Sequence, residues 1–329
     1  MSLLARARAR AKAVAFDALC AAGLGGPFLR DRPGERILVW HGLDLRGGSG
    51  FNARFVSAAT FEAHVVEMKE RFHVVSLNAL FAGERHRSRL TVALTFDDGY
   101  ESFATLALPI LERHGVPATV FVTTTRAAGE EVLWPDLLDV SAQLSDAPLV
   151  VAGERFVKDR RREWRSERDG TPLKTRARRG DGAYVGEVAA ALRRVADIAS
   201  RQDLAAYWRT IPEERLRAVA ASALVTVGSH GRRHLSLGHL SRKEAQEEMA
   251  VSKAWLEGVL GRPVDALAFP DGSYREETLD DAEALGYRLL LACEPFPPVP
   301  RPNLRGRLTV NPFASPANRL RGIYAGRWD

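Results

Sequence analysis

"LTVALTFDDGYESFATLALPILERHGVPATVFVTT" (90–124) decides the fold. Residues 90–96 form an apolar run that reads as a buried strand. "YESFATLALPILERHG" (100–115) reads as a helix that Gly115 stops, with Pro117 just beyond. "PATVFVTT" (117–124) is the next strand. Buried strands joined by a helix predict a parallel sheet covered by helices.

The same alternation extends in both directions. Upstream, "RILVWHGL" (36–43) is a strand with a polar end, and "SAATFEAHVVEMKERF" (57–72) places Phe61, Val65, Met68 and Phe72 at helical spacing. "HVVSL" (73–77) is a short strand. Downstream come a helix at 212–223, the strand "LVTVGSH" (224–230) and a long helix at 241–261. Ser241 and Glu244 form a capping box for that helix and Gly261 ends it. "DALAFP" (265–270), "YRLLLACE" (287–294) and "RLTV" (307–310) are further strands, with a helix at 276–285. The count is about seven parallel strands. Between 125 and 212 the alternation is lost, apart from a helical pattern at 185–200. This reads as an insertion between units of one barrel. The expected division is a basic N-terminal helix or extension over 1–35 and a barrel domain over 36–329 that holds the insertion.

Composition removes several classes. The chain has 329 residues, 46% hydrophobic and 27% charged, which excludes a mainly disordered protein. No apolar run approaches the roughly 20 residues of a membrane span. The two cysteines, Cys20 and Cys293, are too few for a disulfide scaffold or a cysteine-built zinc site. Any metal site must be built from histidine and carboxylate.

The net charge of +6 is uneven. Residues 154–180 hold 11 Lys/Arg against 5 Asp/Glu, and residues 1–36 hold 7 against 3, so the rest of the chain is net negative. That pattern argues against nucleic acid as a partner. It leaves a solvated basic surface, or contact with an anionic membrane or a phosphate-linked glycan carrier. The start of the chain resembles a signal peptide, but Asp17 interrupts the apolar stretch and no clear cleavage site follows. The expected location is the cytoplasm, with the inner membrane face as an option.

Three signals stand at strand ends, where α/β folds place their sites. Asp97-Asp98 brings two carboxylates together, a cost that a divalent cation relieves. "DG" is also ordinary turn chemistry. His230 and His234 in "GSHGRRH" have the i, i+4 spacing that lets two imidazoles on a helical turn grip one metal ion. They also read as two surface histidines. "AFPDGSY" (268–274) ends a strand in a turn whose backbone N–H groups can face an oxyanion, or simply close a tight turn. Together, one Asp and two His make a mononuclear site with open positions, and the second carboxylate is free to take a proton from water. That predicts metal-assisted hydrolysis of an ester or amide.

"TFDDGY", "GSHGRRH" with the helix after it, and "FPDGSY" resemble the successive motifs of the polysaccharide deacetylases, carbohydrate esterase family 4. The opening "ILVWHGLD" is similar to the start of bacterial members that act on exopolysaccharide or surface-glycan N-acetyl sugars. The resemblance spans about 36–124 and 212–311. It implies a distorted (β/α) barrel and removal of N-acetyl groups from an amino-sugar glycan. It also implies one divalent ion, usually zinc, on Asp98, His230 and His234, with Asp97 as the base and the Asp271 backbone holding the oxyanion. Tyr274 in the same turn and Trp134 in "LWPDLLD" are the further substrate candidates, Trp134 either stacking on a sugar ring or packing the insertion. Three features depart from the family. No Arg precedes the "FPDG" turn, where Ala268 stands; Asp271 replaces a frequent Tyr; and no histidine follows His239. His41 is therefore the candidate acid, with a structural role as the alternative. The other functions considered are hydrolysis of a non-sugar C–N bond and glycan binding without turnover.

Overall fold

The computed structural model describes residues 3–46, 54–293 and 301–328. Seven parallel strands close into a barrel: β1 (Gly34–Trp40), β2 (Leu90–Phe96), β3 (Ala118–Val122), β4 (Val225–Ser229), β5 (Ala266–Ala268), β6 (Leu289–Cys293) and β7 (Leu304–Thr309). They pair in chain order and β7 returns to β1, which closes the ring. The short strand His73–Val74 pairs with Thr91 and Val92 of β2. This is the distorted α/β barrel expected from the sequence. Glu294, the last residue of the expected strand 287–294, lies outside the described residues.

All seven residues of β2 and all five of β3 are buried, because both faces are covered. Alternate residues separate into two apolar layers. Ile37, Ala93, Phe121, Ala266, Ala268 and Leu291 fill the interior together with Leu77 and Leu80 of the helix Leu77–Phe81. Leu38, Leu94, Val120, Val227 and Leu290 pack outward with the helices. Gly228 of β4 opposes Phe121 of β3 and has to be glycine: an added Cβ would lie 2.5 Å from the Phe121 ring. Side-chain direction in a strand has a period of two. The inward rows that contain Ile37, Ala93 and Gly228 therefore lead to His41, Asp97 and His230 at the mouth. Leu291 leads to Cys293, whose partner in register is Arg307 on β7.

Two local expectations change. The segment 100–115 is not one regular helix: Phe103–Ala107 forms a π-helical turn before the α-helix Leu108–His114. Pro109 has no N–H to give and crowds the preceding turn, which accounts for the widened start. Residues between β3 and β4 hold much more structure than their sequence pattern signals. They form the helices Trp134–Leu144, Leu173–Arg179 and Gly182–Val195, and an antiparallel sheet of Leu149–Val151, Glu154–Lys158 and Trp164–Ser166. Leu149, Phe156, Trp164, Val188 and Leu192 join the same apolar cluster as the outer layer of the barrel.

The positive charge of this segment is largely matched locally. Lys174 pairs with Asp139 at 2.8 Å, Arg162 with Asp146 at 3.1 Å, and Arg176 with Asp169 at 2.6 Å. Arg165 bridges Asp159 and Glu163, and Arg155 pairs with Glu167. The N-terminal helix Leu3–Ala21 differs. Its Asp17 turns inward to Ser315 and Asn318 on the helix Pro316–Ala325 and its cap, while Arg8, Arg10 and Lys12 are exposed. Among the described residues no helix is long and apolar enough to cross a membrane.

Candidate active site

The site is built at the C-terminal ends of the strands. The Asp97 N–H bonds the Trp40 carbonyl at 3.0 Å, so the β1–β2 ladder continues one residue past β2 and holds the Asp97 side chain in the inward row. The chain then turns: Asp98 has φ 71° and Gly99 φ 72°. A Cβ on Gly99 would lie within 3.0–3.2 Å of Val122, so the turn depends on glycine there. The reversal sends the two adjacent carboxylates apart. Asp97 meets Arg307, and Asp98 meets the histidines.

His230 follows β4 directly, and its N–H bonds the Val122 carbonyl at 2.9 Å. Its Nδ1 lies 2.8 Å from the Ala268 carbonyl. A carbonyl only accepts, so Nδ1 carries the proton and Nε2 presents its lone pair to the site. That Nε2 is 3.7 Å from Asp98 Oδ1 and 3.8 Å from Asp97 Oδ2. His234 Nε2 is 3.2 Å from Asp98 Oδ1. The two imidazoles do not share a helical turn as expected. Residues 230–234 form an irregular loop in which Gly231 (φ 75°) and His234 (φ 58°) take left-handed conformations, and this brings the rings to 5.1 Å between centroids.

Asp98 Oδ1 is buried and makes no hydrogen bond among the described residues, although two imidazole nitrogens face it. A buried carboxylate oxygen without a donor is costly. One ligand atom each from Asp98, His230 and His234 lies within 4.8 Å of the others. A divalent ion of zinc type fits this set of one carboxylate and two imidazoles, and it would satisfy the orphaned oxygen.

Asp97 is held by Arg307, which sequence reasoning missed. The guanidinium grips both carboxylate oxygens, Nη1 to Oδ1 at 2.6 Å and Nη2 to Oδ2 at 2.8 Å, with both residues buried. It also lies over the Phe121 ring at 5.2 Å. Burial, the largest influence, raises the Asp97 pKa, but the charge and hydrogen bonds of Arg307 together with the nearby His230 and His41 outweigh it and keep the carboxyl below its ordinary value. The Arg expected just before the "FPDG" turn is thus supplied by another strand. The available signal was an Arg at an inward position of the short strand that ends the barrel.

His41 is half-buried and neighbours Asp97 across the β1–β2 ladder, where Trp40 pairs with Phe96. Burial pulls its pKa to about 4, against the pull of the Asp98 and Asp97 charges, so the resting ring is neutral. The structure therefore brings Asp97, Asp98, His230, His234 and His41 to one mouth. In the "FPDG" turn Asp271 has φ 55°, and its carboxylate accepts from Ser236 at 2.7 Å and pairs with Arg178 at 2.9 Å. Tyr274 lies beside the turn with its ring 5.2 Å from that of Phe269.

Trp134 is not placed to stack on a sugar. It is 5% exposed, and its indole N–H donates to the His234 carbonyl at 2.9 Å. The insertion thus braces the histidine loop. It also supplies Asp136, which shares Arg54 with Asp98: Arg54 Nη1 is 2.9 Å from Asp98 Oδ2 and Nη2 is 2.5 Å from Asp136 Oδ1.

Comparison with known proteins agrees with this layout. The model of the polysaccharide deacetylase family matches residues 84–153 and 184–290. The Bacillus subtilis (strain 168) protein YxkH, which carries the name of the same family, is 33% identical over 263 residues. That match covers 79% of this chain and 64% of YxkH. The chain belongs to the polysaccharide deacetylase family. Among solved structures, the Streptococcus pyogenes deacetylase PplD, determined in complex with acetate, aligns with TM-score 0.56 at 18% identity, covering 88% of this chain and 97% of that one. IcaB from Ammonifex degensii aligns with TM-score 0.53 at 17% identity, covering 89% and 97%. At these identities the likeness is one of fold.

Proposed function

We propose that the protein is a metal-dependent N-deacetylase that removes acetyl groups from amino sugars of a polysaccharide, oligosaccharide or lipid-linked glycan. The observation that carries this reading is the division of labour between adjacent carboxylates. Asp98 faces two imidazoles, while Asp97, kept ionised by Arg307, stands beside them with its own oxygen 3.8 Å from His230 Nε2. Asp98, His230 and His234 would hold a divalent ion, most simply Zn2+, which when bound would supply Lewis acidity toward the acetamide carbonyl and toward water. Asp97 takes the proton from the attacking water. The Asp271 N–H, in the turn that Gly272 and Ser273 close on Phe269 and Pro270, faces the developing oxyanion. Tyr274 borders the sugar. His41 delivers a proton to the leaving amine. Its resting ring is neutral, so the proton it delivers is the one Asp97 has taken from the attacking water, passed to the ring before the C–N bond breaks. Acetate release from a panel of N-acetylated oligosaccharides, lipid-linked sugars and nucleotide sugars tests the reading, and a fully metal-loaded protein that releases none from any of them would refute it.

Metal content gives a separate check. About one Zn2+ per chain is expected after reconstitution, and the His230→Ala/His234→Ala pair should abolish it. Full occupancy in that double variant would move the metal site elsewhere. His41→Ala should retain fold and metal and lower kcat about 10²–10⁴-fold, the usual range for a lost general acid. The loss should be smaller for substrates with a good leaving group. Unaltered kinetics would leave His41 structural.

The cytoplasm, with contact to an anionic membrane face or a phosphate-linked carrier, is the location we propose. The N-terminal helix supports that contact better than the insertion, whose charges are largely paired. Arg8→Glu/Arg10→Glu/Lys12→Glu should weaken sedimentation with phosphatidylglycerol vesicles in a salt-sensitive way and leave hydrolysis of a small neutral substrate unchanged. Equal sedimentation of variant and wild type would remove the helix from consideration.

A further inference from the structure

We infer that Arg54 is a positioning residue for the metal centre: it forks across Asp98 and Asp136 and fixes which oxygen of Asp98 faces the two imidazoles. The inference rests on the metal reading above.

Asp98 has two distinct oxygens. Oδ1 makes no hydrogen bond among the described residues and faces His230 and His234. Oδ2 is taken by Arg54 Nη1 at 2.9 Å. A carboxylate on a residue in a left-handed conformation at the start of a turn has no ladder to hold it. With one oxygen anchored, rotation about the Cβ–Cγ bond is blocked and Oδ1 is committed to the imidazoles. Arg54 itself is held from the other side. Its Nη2 meets Asp136 Oδ1, and the Tyr100 hydroxyl lies 2.8 Å from both oxygens of Asp136. Asp136 and Tyr100 are both buried. Phe55, next to Arg54, packs between the rings of Tyr100 and Tyr207, at 4.9 and 5.2 Å. The chain Tyr100–Asp136–Arg54–Asp98 thus joins the turn after β2, the first helix of the insertion and the segment before the helix Ala58–Arg71.

Geometry and charge make opposite demands here, which exposes the idea to a direct test. A guanidinium next to a metal ligand repels a divalent cation, so as a bare charge Arg54 would weaken metal binding. As a fork it strengthens binding by holding the ligand in place. Groups that orient ligands typically account for 10–100-fold in metal affinity.

The experiment is competition for Zn2+ between the metal-free full-length protein and a chromophoric chelator, read as Kd and independent of turnover. Arg54→Gln should raise Kd about 10–100-fold. Arg54→Lys keeps the charge but cannot span two carboxylates, and should behave like Arg54→Gln. Asp136→Asn should shift Kd in the same direction by a smaller factor. Melting curves of the metal-free variants show whether each is folded, and Asp136→Asn, which keeps size and shape, carries the test if the Arg54 variants are not. Unchanged or tighter binding in Arg54→Gln overturns the inference. So does wild-type affinity in Arg54→Lys beside a weak Arg54→Gln, since a single donor to Asp98 would then suffice without the span to Asp136. Equal Kd in wild type and Asp136→Asn also overturns it. Wild-type protein that binds no Zn2+ would instead bring down the metal reading itself, so the two failures are distinct.

Discussion

Asp97→Asn should reduce turnover by at least the 10²–10⁴-fold that a general base contributes, while the protein keeps its Zn2+. The candidate ligands are Asp98, His230 and His234, and none is altered. The amide cannot accept the proton of water, and its NH2 would also point at one Arg307 nitrogen, where the carboxylate now accepts at 2.6 and 2.8 Å. Some loss of stability is therefore expected beside the loss of rate. The informative measurement is kcat per bound metal on an N-acetylated substrate that the wild type turns over. Near-normal kcat per zinc would place the base elsewhere. Loss of zinc together with rate would mean that Asp97 is itself a ligand. The 3.8 Å between Asp97 Oδ2 and His230 Nε2 makes that alternative worth measuring.

Parts of this site were legible in sequence because their chemistry is local. Asp97 and Asp98 are adjacent, and His230 and His234 lie four apart at the end of a strand-like run. The mode of convergence was not legible. The histidine spacing reads as a helical turn, whereas Gly231 and His234 in left-handed conformations do the work in an irregular loop. Arg307 was invisible for a different reason. It acts on a residue 210 positions away, and only closure of the barrel through β7 and β1 brings the two together. Arg54 and Asp136 are likewise joined only by the tertiary fold. The insertion was opaque because its strands are only three to five residues long, so neither the helical nor the strand period stands out. Trp134 shows the limit of residue type as a guide. An aromatic near a carbohydrate site can stack on sugar, but its indole N–H and burial commit it to the His234 carbonyl.

Arg307→Met should damage both stability and catalysis, with a pH signature that separates it from a general packing defect. In the wild type, burial raises the Asp97 pKa, and Arg307 with help from His230 and His41 overrides that, leaving the folded value below the unfolded one of about 3.9. Asp97 then adds stability above that unfolded value, and the gain is lost as pH falls through the folded pKa. Without the guanidinium the carboxylate stays buried with no counter-charge from β7. Its pKa moves up, and the sign reverses: the variant loses stability as pH rises from about 4 through the new folded value. Breaking a buried pair from one side typically costs about 3–5 kcal/mol. The acid limb of kcat/KM should move to higher pH, because the base must now lose its proton from an apolar setting. The double variant Asp97→Leu/Arg307→Met removes both charges and should regain most of the stability while remaining inactive, since apolar replacement of a buried pair is often neutral. Urea unfolding across pH for wild type, single and double variants measures each of these. A single variant as stable as wild type at neutral pH would mean that Asp97 is already balanced by other charges at the mouth. A double variant no better than the single would mean that Arg307 acts through packing on Phe121 and not through its charge.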